Sequence, residues 1–151
     1  MIKQELVAPC GLYCGVCGIY QATATGDHNL KEKLAHFYHD IPDKINCRGC
    51  LSDTVYWYCS SCPIKSCVIE KKIQGCHQCD QFPCDKVESF PVPEGKKNIL
   101  RAVPEWRKRG TEAFIAAEEE RFTCPHCRTA LFRGSRKCRT CGSTVSLPSG
   151  E

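Results

Sequence analysis

The chain has 151 residues, fifteen of them cysteine, and a formal net charge of +4. That length allows one modest domain and a small appendage, and Leu, Ile, Val, Phe and Met are too sparse for a thick apolar core, so metals or disulfides must supply stability. No run suits a signal peptide or approaches the roughly 18 apolar residues of a membrane span, which predicts a cytoplasmic chain without membrane contact whose clustered cysteines bind metal.

An odd number of cysteines points the same way, since a complete disulfide framework would leave one thiol over. Charge is uneven. Residues 1–95 hold nine Lys/Arg and eleven Asp/Glu, whereas residues 96–151 hold twelve and six. The expected division is a cysteine-rich metal-binding domain over 1–95, a helical connector over 96–120 and a zinc ribbon over 121–151. The expected fold class is a small metal-stabilised α+β protein, with short helices and cysteine knuckles first and a C-terminal β zinc ribbon last.

The first motif is Cys10-Gly-Leu-Tyr-Cys14-Gly-Val-Cys17. Its C-x3-C-x2-C spacing resembles the cluster motif of radical-SAM enzymes, but the chain lacks the long run of βα units those enzymes need. Val16 also stands where they usually have an aromatic residue. Iron–sulfur ligation itself stays open, because thiolates at such spacing suit a cluster. Asn29 and Glu32 then resemble a capping box opening a helix with Leu30, Leu34, Phe37 and Tyr38 on one stripe, closed by Pro42. His28, His36 and His39 lie on or near this helix without a third ligand and read as surface residues.

Three further C-x2-C knuckles follow, Cys47/Cys50, Cys59/Cys62 and Cys76/Cys79, besides Cys14/Cys17. Cys10, Cys67 and Cys84 are single. Cys59 to Cys67 and Cys76 to Cys84 share the spacing C-x2-C-x4-C, each knuckle leading towards a helix that starts near Pro63 or Pro83. Cys47/Cys50 and Cys59/Cys62 are close enough along the chain to share an ion. All eleven cysteines are candidate metal ligands. With His77 they would supply twelve ligands for three ions, in local or interleaved pairings.

No cysteine occurs between residues 85 and 123. This stretch reads as helical, apolar at Ile99, Leu100 and Val103, with Pro104 opening a short segment that carries Trp106 and Gly110 ending it. Thr111 is the expected N-cap of the next helix, in which Glu118-Glu119-Glu120 reads as a solvated face.

Cys124-Pro-His-Cys127, ten residues and Cys138-Arg-Thr-Cys141 complete the pattern. Two C-x2-C turns supply the four soft ligands of a closed tetrahedral zinc site, with His126 left at the surface. Strands are expected over Thr129–Phe132 and Thr144–Leu147. Residues 121–150 carry six Arg/Lys and no acid, and with Phe122 and Phe132 this permits nucleic-acid contact.

The run from Cys10 to Tyr20, together with Cys47-Arg-Gly-Cys50, Cys62-Pro-Ile-Lys-Ser-Cys67 and Cys79-Asp-Gln-Phe-Pro-Cys84, resembles a family of cysteine-rich prokaryotic proteins known only as a domain of unknown function. Arg-Phe-Thr-Cys124-Pro-His-Cys127 resembles a tail that some members carry. The resemblance implies zinc binding and no catalytic residues. The expected protein is thus a zinc-binding adaptor holding two to four ions, with an unknown protein partner. The alternatives are an iron–sulfur redox protein using the N-terminal cysteines, and a nucleic-acid binder using the basic ribbon.

Overall fold

The computed structural model describes residues 4–146. Among them are seven α-helices: α1 (Gly18–Thr25), α2 (His28–Tyr38), α3 (Trp57–Ser60), α4 (Pro63–Lys71), α5 (Asp85–Glu88), α6 (Pro93–Arg109) and α7 (Thr111–Arg121). Short 3-10 turns at Cys14–Val16 and Cys76–Gln78 form two of the cysteine knuckles.

The sequence patterns account for most of these boundaries. Pro63 opens α4 at the position where its missing N–H costs nothing. In α2 the cap is Asp27 rather than Asn29, its carboxylate accepting from the Leu30 N–H at 3.0 Å. Gly110 caps α7, and Thr111 lies inside it, its hydroxyl accepting from Trp106 Nε1 at 3.0 Å. Pro104 does not divide α6. It removes one ladder bond, to the Leu100 carbonyl, while Ile99, Ala102, Val103 and Trp106 are buried on one stripe across it.

That stripe makes α6 the central post of the molecule. Ala102 and Trp106 pack with Leu6, Val7, Tyr13, Val16, Phe114, Ile115 and Phe122. Ile99 and Val103 pack with Ala8, Cys10, Cys50, Ile64, Val68, Cys76 and Val87. A third cluster joins α1 and α2 to Ile45, Cys47 and Tyr56. Gly11 marks the closest approach to α6: at φ +92° a side chain is strained there, and a Cβ would lie 2.9 Å from Val103 Cγ2.

The expected β ribbon is not present. Among the described residues there is no β-strand, only the isolated bridges Val7↔Tyr13, Thr123↔Ala130 and Lys137↔Thr144. The α+β class is therefore wrong, and the fold is helical. The cause lies in where the backbone groups after each knuckle find partners. Leu131 N–H bonds back to Phe122 O at 2.8 Å, but Arg133 N–H goes to Val16 O at 2.7 Å, on another part of the molecule. Ser135 N–H then closes a turn on Phe132 O at 3.0 Å. A ladder that gives its next donor elsewhere stops at one bridge. Leu147, the end of the second expected strand, lies outside the described residues.

Of the three consecutive glutamates, Glu119 and Glu120 are exposed, but Glu118 does not lie on a solvated face. Glu118 is 2% exposed and takes a two-pronged ion pair from Arg101 (2.7 and 2.9 Å), with Glu105 and Arg121 completing the network. Glu119 accepts from the buried Tyr13 hydroxyl at 2.7 Å, and Glu120 pairs with Arg128 at 2.7 Å. No helix is long and apolar enough to cross a membrane among the described residues.

Candidate metal centre

Cys124, Cys127, Cys138 and Cys141 converge so that their sulfurs all lie within 4.8 Å of one another. The Cys124–Cys141 and Cys127–Cys138 separations are 3.7 and 3.6 Å. Four sulfurs at the zinc–thiolate distance of about 2.3 Å from a tetrahedral centre stand about 3.8 Å apart. The residues present therefore fit a single soft cation, and the cluster could hold a metal ion.

Two nearly identical turns build it. Arg128 N–H donates to Cys124 O and Gly142 N–H to Cys138 O, each at 2.9 Å. Cys124 N–H reaches Thr129 O and Cys138 N–H reaches Ser143 O, again at 2.9 Å. The residue after each second cysteine is left-handed, Arg128 at φ 64° and Gly142 at φ 76°. Each second cysteine is then met by a hydroxyl two residues on, Thr129 at 3.1 Å from Cys127 and Ser143 at 3.3 Å from Cys141. The Thr129 hydroxyl and N–H push the Cys127 thiol down to about 6, and those of Ser143 lower Cys141. Such donors favour the thiolate, which is the ligand form. Cys124 and Cys138 are fully buried against Leu131 and Val145, so the site is closed from within.

The basic residues of this segment are mostly committed to docking. Arg133 donates to Tyr13 O at 3.1 Å, Arg128 grips Glu120, Arg121 joins Glu105 and Glu118, and Arg139 pairs with Asp27. Gln21 Nε2 also donates to Leu131 O at 2.9 Å. Phe122 is buried in the main core, and Phe132 packs against the α1–α2 cluster. His126 is exposed and outside the sulfur cluster.

The eleven upstream thiols form two neighbourhoods that meet at Cys62, which acts on Cys10, Cys50 and Cys59 and also on Cys76. Cys50 acts electrostatically on Cys10, Cys14 and Cys59, and is acted on by Cys62 and Cys47; Cys17 acts on Cys14 and Cys59. Burial pushes Cys50 up to about 11 and Cys59 up to about 12, and raises Cys10 and Cys14 as well. Cys67, Cys76, Cys79 and Cys84 instead line one cavity. The first C-x2-C-x4-C unit is thus divided: Cys62 stands between the two groups, while Cys67 lines the cavity of the second unit. Spacing alone hid this because Cys67 lies within α4 while Cys84 caps α5. Among the described residues, only the C-terminal four meet the close convergence of a single-ion site.

His77 does not join a thiol group. Its ring stacks on Trp106 at 3.5 Å and 18°, and burial lowers its affinity for a proton, with Arg107 adding to the effect. His28 pairs with Glu32 at 3.3 Å on the exposed side of α2.

No curated protein and no solved structure matches this chain. Residues 6–89 match a family described as protein of unknown function (DUF3795). The match takes in all eleven upstream cysteines and stops short of the C-terminal cluster. With more than half of its length covered, the chain belongs to that family.

Proposed function

We propose that the protein is a zinc-binding module that works by presenting a surface to a protein partner in a reducing compartment. The observation that carries the zinc half is the C-terminal convergence: four thiols at tetrahedral separation, with donors at Cys127 and Cys141 that favour the thiolate form. Zinc held there by Cys124, Cys127, Cys138 and Cys141 would crosslink two turns and leave no open position, so its contribution is structural. The chain's own residues then fasten this crosslinked unit to α1, α7 and the Cys14–Cys17 turn.

The binding half rests on exposed aromatic rings that flank the buried Tyr56. Phe37, Tyr38, Tyr56 and Trp57 follow one another ring to ring at 5.0, 5.7 and 5.8 Å. Phe37 is 70% and Trp57 62% exposed, with Ile41 also exposed. Exposed aromatic patches of this kind mark interaction surfaces.

Metal analysis of the purified chain tests the first half. Zinc should be present, and a Cys124→Ala, Cys127→Ala double variant should lose one equivalent. Unchanged zinc in that variant would sink the assignment.

A further inference from the structure

We propose that Cys67, Cys76, Cys79 and Cys84 hold an iron–sulfur cluster. The four line one partly open cavity of about 130 Å³, with Ile64, Val68 and Phe82 among its apolar walls. That volume would take about four water molecules at roughly 30 Å³ each. A single ion drawn into contact with four thiolates leaves no such space, as the C-terminal cluster shows with its sulfurs 3.6 and 3.7 Å apart. Four thiolates around a larger void match the ligand set of a cluster, in which bridging sulfides fill the centre and each thiolate binds at the rim.

The frame resists collapse onto one ion. The Cys76–Cys79 turn is held by three independent contacts. Cys76 N–H donates to Pro9 O at 2.8 Å. Arg107 donates to His77 O and Cys79 O, each at 2.8 Å. Gly75 sits so close that a Cβ would lie 2.6 Å from the Trp106 ring. Cys67 comes from the middle of α4 and Cys84 from the cap of α5, so neither can shift without its helix.

Charge fits as well. A cluster with four thiolate ligands is anionic, and Lys71 and Lys86 stand on the cavity wall. Lys71 Nζ lies 3.5 Å from Cys79 Sγ, a hydrogen-bond donor of the type that tunes cluster potential.

The test uses the full chain, purified without oxygen and reconstituted with ferrous iron and sulfide. Iron should bind with a matching amount of sulfide and give visible sulfur-to-iron absorption. Cys79→Ala and Cys84→Ala should each abolish that absorption. The Cys124→Ala, Cys127→Ala double variant should keep it while losing zinc, so this proposal and the zinc reading fail separately. Lys71→Met keeps every ligand and threatens no packing; it should retain the cluster and move its reduction potential to more negative values. Absence of bound sulfide overturns the proposal. So does absorption that survives both cysteine variants, which would place a cluster around Cys50, or loss of one zinc and no iron in Cys79→Ala. An unmoved potential in Lys71→Met would also overturn it.

Discussion

The C-terminal thiols come from two C-x2-C turns and the Cys67–Cys84 thiols from only one, and the two sets are arranged differently. In the first group two matched turns aim four sulfurs inward until pairs stand 3.6 and 3.7 Å apart, and side-chain hydroxyls lower Cys127 and Cys141. In the second, one turn, one mid-helix cysteine and one helix cap surround a cavity, and burial pushes Cys76 up to about 11. A turn motif specifies how two neighbouring ligands point. What it does not specify is the distance to the other two, which comes from the elements that carry them.

The largest expected effect tests the inward-aimed group. Cys138→Ala removes a fully buried thiol of the proposed zinc site, and structural zinc sites contribute on the order of 10 kcal/mol of folding energy. Limited proteolysis should then cut within residues 122–146 while α6 stays protected. Equal protection in the variant and the parent would mean that the turns stand without metal, and the contrast would lose its basis.

Next in size is Glu118→Ala, which leaves Arg101 buried and deprived of its two-pronged partner. Breaking a buried pair this way costs about 3–5 kcal/mol, read from denaturant melts. It should weaken both groups together, since α6 and α7 carry one each. Gly75→Ala sharpens the comparison at one end only. Its Cβ would lie 2.6 Å from Trp106 and 2.9 Å from Pro9 O, an overpacking cost of about 1–3 kcal/mol. Metal bound at Cys76 and Cys79 should fall while zinc at the C-terminal site is unchanged.

The smallest effect comes from Asp27, which caps α2 and pairs with Arg139. The Leu30 N–H and then Arg139 hold its carboxyl below the usual carboxylate range. Its contribution is therefore present above the unfolded value near pH 4 and is lost as pH falls through the lower folded value. Asp27→Ala should cost about 1 kcal/mol at neutral pH, measured by melting, and the difference from the parent should vanish in acid.

The convergence of the four C-terminal thiols was legible because paired C-x2-C turns carry their own geometry, and the start of α4 because Pro63 announces it. The strands failed because Thr129 to Phe132 alternates suitably, yet Arg133 gives its N–H to Val16, a partner over a hundred residues away. Glu118 was misjudged because nothing local distinguishes it from its neighbours; Arg101 does, from seventeen residues upstream. The neighbours of Cys67 stayed hidden for a similar reason. Helix α4 turns it towards the second unit, which only the packed structure reveals.

The bonds from Leu131 and Arg133 back to Gln21, Tyr13 and Val16 also order events during synthesis. At about 5–20 residues per second, the backbone around Cys14 and Cys17 waits many seconds for the segment that fastens it. Through that interval the first cysteines are made but unsecured, open to wrong metals and to oxidation. A cell making this chain should depend on its reducing systems and metal supply most sharply while the ribosome is still at work.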